Sequence, residues 1–120
     1  MSFSEVEQMI AELGLPYAYW CFDEEEVPAA PYVIFSMPES DNMAADGRVY
    51  EKVNKLYIEL YVSEKSPHIE AALEELLDAY GLFYNRQEYY IEKDKMFEEL
   101  YALELSLIHI SEPTRQEAIS

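Results

Sequence analysis

Residues 56–81, LYIELYVSEKSPHIEAALEELLDAYG, predict a strand followed by a helix. In residues 56–62, aliphatic side chains alternate with tyrosine and glutamate, the period expected of a strand with one face toward a core. Ser66 can cap a helix that begins at Pro67, and Gly81 then ends that helix. Between them, apolar residues recur at helical spacing: Ile69, Ala72, Leu73, Leu76, Leu77 and Tyr80. A half-apolar strand beside an amphipathic helix indicates an α+β domain.

The residues before this segment predict one more helix and two short strands. The helix has apolar residues at Val6, Met9, Ile10 and Leu13. Either Ser2 or Ser4 can supply its capping box, and Gly14 ends it. Residues 15–22 are aromatic and too short for a helix, so we expect a strand there. Residues 32–35 are apolar on both faces, as expected of a central strand.

Residues 39–50 predict a long mobile connection, because turn-forming residues are frequent in the first ten of them. Loops of this kind often carry contacts with other molecules. We therefore expect an assembly interface here, with these candidate residues: Asp41, Asn42, Met43, Asp46, Arg48 and Tyr50.

Two more segments complete the predicted fold. Residues 83–91 are half polar and β-leaning, which favours a strand. Residues 96–105 are ambiguous, since their composition favours a helix while Tyr101, Leu103 and Leu105 alternate as in a strand. We expect residues 1–105 to form one α+β domain with two helices packed on one face of a mostly antiparallel sheet of four to five strands. The order is α-β-β-β-α-β-β.

The chain is strongly acidic, with 25 Asp and Glu against 8 Lys and Arg and a formal charge of −17. Because phosphate binding depends on clustered Lys and Arg, direct binding of nucleic acid is not expected. Partners with basic patches suit this charge. Eleven tyrosines exceed what one small core needs, so they either line protein–protein surfaces or coat exposed sheet faces.

The sequence contains no recognisable catalytic grouping, cofactor motif or metal motif. Cys21 is the single cysteine, and its predicted place on a strand face makes it a small buried side chain. His68 follows the first helical proline, where a solvated side chain is expected. Residues 23–26 are four acids without the ligand spacing of a calcium loop, which favours a solvated turn. We expect neither catalysis nor a bound cofactor or metal.

Targeting signals and membrane spans are also not expected. The first residues lack a basic region followed by an apolar one, and no stretch approaches the ~18 apolar residues of a span. A single cysteine fits synthesis in a reducing cytosol. We therefore expect a soluble chain without an export signal.

Residues 106–120 differ in character from the rest of the chain. Residues 106–116, SLIHISEPTRQ, resemble a translated sequencing-adaptor read-through, so we expect a non-native or disordered tail. A native polar tail is the alternative. Whether native residues after Leu105 are missing stays open. Without the tail the chain keeps 23 acids and 7 bases, a formal charge of −16, so its acidity belongs to the domain.

Over residues 3–105 the chain resembles the small minor tail proteins and tail terminators of long-tailed phages and of prophages in Gram-positive bacteria. Four stretches carry the resemblance: 15–19 (LPYAY), 31–35 (PYVIF), 38–47 (PESDNMAADG) and 58–61 (IELY). The resemblance implies that residues 96–105 form a strand. It also implies a ring, expected to be a hexamer, at the head-proximal end of the tail, assembled in the host cytoplasm.

In such a ring the partners would be other copies of the chain, the tail-tube protein and a head-completion or connector protein. The role would be to cap the tail tube and join it to the head, without catalysis. Two alternatives stay open: a head-completion or connector protein, and an acidic module that mimics nucleic acid and occupies a basic groove on a partner.

Overall fold

The computed structural model describes residues 1–38, 40–45 and 48–106, with side chains outside 40–54 and 106. The described residues form two α-helices, six strands and a short 3₁₀ helix at Glu24–Glu26. The elements are α1 (Phe3–Ala11), β1 (Tyr17–Tyr19), β2 (Tyr32–Ser36), β3 (Ser40–Ala45), β4 (Arg48–Val62), α2 (Pro67–Ala79), β5 (Tyr84–Ile91) and β6 (Met96–Ser106). The predicted α+β class is confirmed.

The strands form one sheet in the order β1-β2-β4-β6-β5, and β3 pairs with the first part of β4. Only the β1–β2 pair is parallel among the pairs that the structure describes. At 15 residues, β4 is the longest of the described strands and contacts β2, β3 and β6. The mostly antiparallel sheet agrees with the prediction. The strand β3 was not predicted.

Both helices pack on the same face of the sheet. Val6, Met9 and Ile10 of α1 and Leu73 and Leu77 of α2 are buried there. The sheet supplies the other side of the core with these buried residues: Val33, Phe35, Leu56, Ile58, Leu60, Val62, Tyr101, Leu103 and Leu105. The alternation predicted for residues 56–62 is confirmed, since every aliphatic residue of that segment is buried.

Ser2, rather than Ser4, caps α1. Its Oγ accepts a hydrogen bond from the Glu5 amide at 3.2 Å, and the Glu5 carboxylate accepts one from the Ser2 amide at 2.7 Å. Ser66 is the N-cap of α2 as predicted, but its side chain accepts no capping bond. The Ser66 carbonyl accepts instead from the amides of Ile69 and Glu70.

The prediction that Cys21 is buried on a strand face is wrong. β1 ends at Tyr19, and Trp20 adopts a positive φ of 70°, which breaks the alternation of a strand. The Trp20 amide still reaches the Phe35 carbonyl at 2.9 Å, but the chain then leaves the sheet. Cys21 therefore lies exposed beyond the strand end.

The prediction of a long loop at residues 39–50 is also wrong, because β3 and the start of β4 pair as an antiparallel hairpin. Asp41, Asn42 and Met43 lie in β3, while Arg48 and Tyr50 lie in β4. Asp46 lies outside the described residues. Asp-Gly, the dipeptide at 46–47, is a common signal for a hairpin turn. The prediction of a loop treats it only as a general turn-forming sequence.

The ambiguity at residues 96–105 is resolved in favour of a strand. β6 pairs with β4 on one side and with β5 on the other, so its backbone groups are satisfied by two neighbours. Those pairings outweigh the helical propensity of its Glu, Leu and Met residues, which is a weak local preference.

Candidate functional site

The face of the sheet opposite the helices is not covered by any helix that the structure describes. Three rows of residues cross it through β2, β4, β6 and β5, aligned by the strand register. We call these twelve residues the open face: Tyr32, Tyr61, Glu98 and Tyr89; Ile34, Glu59, Leu100 and Gln87; Ser36, Tyr57, Ala102 and Asn85. Most are half-buried by their neighbours within the face.

Aromatic rings dominate one end of the open face. The rings of Tyr32 and Tyr61 stack with their centroids 5.1 Å apart, and Phe22 meets Tyr32 edge-on at 5.5 Å. Desolvation raises the pKa of both phenols, and for Tyr61 the neighbouring Glu59 adds to the effect. Tyr89, in the same row, is 46% exposed. The rings offer flat amphipathic area of the kind enriched at protein interfaces.

Two glutamates lie together at the centre of the open face. Glu98 is opposite Tyr61 in the register, and Glu59, two positions before Tyr61, shares a hydrogen bond with Glu98. Desolvation, this hydrogen bond and the charge of Glu59 raise the pKa of Glu98 to about 7. Since two ionised carboxylates cannot hydrogen-bond to each other, the pair takes up a proton as pH falls through about 7.

A second group of charges lies on the helix side, between α2 and strands β5 and β6. Arg86 donates to Glu99 from Nε at 3.1 Å and from Nη2 at 2.9 Å, and to Glu70 at 2.6 Å. Lys65 donates to Glu70 at 2.8 Å, to Glu99 at 3.2 Å and also to Glu88. We call this the ionic cluster.

The ionic cluster is partly buried, with Glu99 fully so and Glu70 6% exposed. Hydrogen bonds to Glu70 and Glu88 hold the pKa of Lys65 above its ordinary value, and Lys65 lowers the pKa of Glu88. Burial raises the pKa of Glu99. Buried carboxylates are stable only when they are paired, and here the two cations supply the pairing.

The carboxylate oxygens of Glu70, Glu88 and Glu99 lie within 4.8 Å of one another, a separation that also suits a cation. The Lys65 ammonium already bonds to all three groups. The arrangement thus works as a structural tie between the edge strand and the helix. Tyr101 strengthens the tie, since its hydroxyl donates to Glu74 of α2 at 2.9 Å.

An open cleft of about 480 Å³ lies at the far end of the same sheet. Its walls come from β4, β5 and β6, and Phe83, which is 92% exposed, stands at its side. The lining residues are Lys55, Tyr57, Phe83, Tyr84, Asn85, Ala102, Leu103 and Glu104. The cleft adjoins the open face through Tyr57, Asn85 and Ala102.

Five of the six residues predicted to form an interface lie on the β3–β4 hairpin. The first five residues of β4, Arg48–Lys52, pair only with β3 among the described strands, since β6 begins to pair at Val53. At ~3.4 Å per residue, the stretch of β4 that pairs with β3 alone among the described strands is roughly 17 Å long. The register skips Tyr50 at an irregularity between Met43 and Ala44, a β-bulge.

Other sequence candidates are not brought together. His68 is exposed at the first turn of α2, and residues 23–26 form an exposed acidic turn, as predicted. Sequence reasoning missed Glu59 and Glu98 as a pair. The alternation in residues 56–62 predicts that Glu59 lies on the outer face. Which residue of β6 lies beside it is set by the register between β4 and β6, and the sequence of one strand does not give that register.

A scan against protein-family models finds none that matches the chain, and a search of curated proteins finds no match. Among the described residues, no helix is long and apolar enough to cross a membrane.

Proposed function

We propose that the protein is a structural virion protein of the phage head–tail junction, a tail terminator that caps the tail tube and joins it to the head. The observation that carries the proposal is the β3–β4 hairpin. Within the described residues, Arg48–Lys52 pair with β3 alone, and β3 has no extensive contact with any described element other than β4. A two-stranded ribbon of this kind gains little stability alone, so contact with another chain would stabilise it.

The sheet edges support assembly into a ring. β3 and β5 each pair with one strand among those described, so their other edges are the proposed contacts with a neighbouring copy. A ring needs such a heterologous contact, in which two different surfaces of the same chain meet and the rotation closes. The resemblance to phage tail proteins also implies a ring, which agrees with a contact between copies through the hairpin.

The charge and the chemistry of the chain fit the same role. A formal charge of −17 disfavours a grip on DNA that passes through a ring. The ionic cluster ties helix to sheet through paired groups. The proposed partners are other copies of the chain, the tail-tube protein and a head-completion protein, and the proposed location is the head-proximal end of the virion tail.

Tube capping tests the proposal. Tail-tube protein from the same genome is polymerised with and without the full chain, and tube lengths are measured by negative-stain electron microscopy. We expect shorter tubes with density at one end. Met43→Asp in the hairpin should abolish the effect, while Ala71→Asp, which adds the same charge on the exposed side of α2, should retain it. Tubes of unchanged length and without end density would contradict the proposal.

The genes on either side of the coding sequence provide a second test of the class. Reading frames for a tail-tube protein and a tape-measure protein next to this one are expected. A neighbourhood without virion genes would contradict the phage assignment.

A further inference from the structure

The open face differs from the rest of the described sheet in how its charges are balanced. On the helix side, each of the three glutamates of the ionic cluster bonds to Lys65, and Glu70 and Glu99 also bond to Arg86. Within the twelve residues of the open face, Glu59 and Glu98 are the only charged ones, and the next row on the same side of the sheet holds Lys55 opposite Glu104. Among the described residues, the carboxylates of the ionic cluster bond to cations, whereas Glu59 and Glu98 take part in no ion pair.

The surroundings of Glu59 and Glu98 are apolar and aromatic. Leu100 and Ile34 lie in the same row as Glu59, and Tyr61 and Tyr32 lie in the row of Glu98. Carboxylates in such surroundings are partly desolvated, and that costs free energy unless a cation approaches. The raised pKa of Glu98 agrees with this cost.

We infer that the open face is a docking surface for a basic partner protein, which places an arginine between Glu59 and Glu98 and apolar side chains on the surrounding rings. A guanidinium can donate to two carboxylates at once and stack on a tyrosine ring, whereas a neutral side chain cannot do both. The aromatic rows supply contact area around the charge, as in the centre of a protein interface.

Charge complementarity selects a different protein over a second copy as the occupant. Two copies docked through this face would bring two glutamate pairs together, in a chain whose formal charge is −17. Like charges that face each other across an interface cost several kcal/mol. The inference goes beyond the proposed function, because it requires neither a ring nor the hairpin.

Peptide binding to the full ¹⁵N-labelled chain tests the inference by NMR. The probe is acetyl-Leu-Arg-Leu-Arg-Leu-amide, and its control is the same peptide with citrulline, a neutral analogue of arginine, at both arginine positions. We expect the arginine peptide to shift the amide resonances of Tyr57, Glu59, Tyr61, Glu98 and Leu100. The citrulline peptide should bind about tenfold more weakly, the change expected when a charge-assisted hydrogen bond is lost.

Matched variants locate the site. Glu98→Gln and Glu59→Gln should each weaken binding of the arginine peptide several-fold, while Glu75→Gln, on the exposed side of α2, should leave it unchanged. The spectrum of each variant shows whether it is folded, and the comparison of the two peptides needs no variant.

Several results would overturn the inference. They are equal binding of the two peptides, binding by neither, shifts confined to the acidic residues of α2, or an equal effect of Glu75→Gln and Glu98→Gln. Concentration-dependent broadening of the open-face resonances without peptide would show that a second copy occupies the face. Each result is independent of tube capping, so failure here is distinct from failure of the proposed function.

Discussion

Arg86 on β5 holds the fully buried carboxylate of Glu99 on β6 with two hydrogen bonds, at 3.1 Å from Nε and 2.9 Å from Nη2. The two residues are diagonal neighbours on adjacent strands, since Arg86 is opposite Tyr101 in the register. Because Arg86 also bonds to Glu70 of α2, this one side chain joins an edge strand to the helix above it.

Removal of Arg86 should destabilise the fold. We expect Arg86→Met to lower the free energy of unfolding by about 2–3 kcal/mol, because Glu99 and Glu70 would stay buried with only Lys65 as a cation. This loss is smaller than the ~3–5 kcal/mol usual when one partner of a buried ion pair is removed, because the Arg86 side chain is itself 36% exposed. Urea unfolding followed by circular dichroism measures the change.

A matched control and a double variant sharpen this prediction. Lys93→Met, in the exposed β5–β6 turn, should change stability by less than ~0.5 kcal/mol. Adding Glu99→Leu to Arg86→Met should recover much of the loss, since it removes a buried charge that has lost a partner. If Arg86→Met and Lys93→Met were equally mild, the ionic cluster would not support the fold.

Glu98 should make the fold less stable as pH rises. Its pKa is about 7 in the folded chain and has an ordinary value of 4.5 when unfolded, so the folded state binds more protons between these values. The free energy of unfolding therefore falls across this window, by about 1–2 kcal/mol after allowance for partial exposure. Glu59, Tyr61, Tyr32 and Tyr89 are the titratable groups that face it from the neighbouring strands.

Glu98→Gln isolates this contribution. Unfolding at pH 5 and pH 8 should show a smaller loss of stability for the variant than for the parent chain, whereas Glu75→Gln should behave like the parent. The comparison cancels other titrating groups, such as Glu99. Identical pH dependence of Glu98→Gln and the parent chain would show that the glutamate pair does not hold a proton.

Ser2 should contribute measurably to stability through the capping box of α1. Ser2→Ala removes the oxygen that accepts from the Glu5 amide, and we expect a loss of about 1 kcal/mol. Ser4→Ala, inside the same helix, is the control and should change stability little. Thermal unfolding of both variants shows which serine caps α1. A larger loss of stability for Ser4→Ala than for Ser2→Ala would contradict the assignment of Ser2 as the cap.

Cys21 should react in the native chain. The thiol is exposed beyond the end of β1, so Ellman's reagent is expected to modify it without denaturant at a rate similar to that in urea. A thiol that reacts only after unfolding would show that Cys21 is buried, and would contradict its exposed position in the structure.

Much of the fold follows from local sequence signals. The alternation of residues 56–62 and the apolar spacing in both helices reflect burial on one side only, and burial is what the structure shows. The end of β1 was missed because a positive φ at Trp20 leaves no trace in a sequence of aromatic residues.

The site was harder to predict than the fold. Glu59 is visible as an outward residue, but its partner Glu98 is 39 positions away and meets it only through the register of β4 and β6. Arg86 and the glutamates of the ionic cluster are likewise distant in sequence and meet only through strand pairing and helix packing. The hairpin at 40–52 was missed because backbone pairing, rather than side-chain pattern, makes β3 a strand.

Native mass spectrometry of the full chain, alone and mixed with the tail-tube protein, addresses assembly most directly. We expect one closed oligomer, a hexamer by the resemblance, that forms alone or when tail-tube protein is added. Met43→Asp should leave monomers, while Ala71→Asp should keep the oligomer. A chain that stays monomeric at every concentration and forms no complex with the tail-tube protein would contradict the proposed assembly.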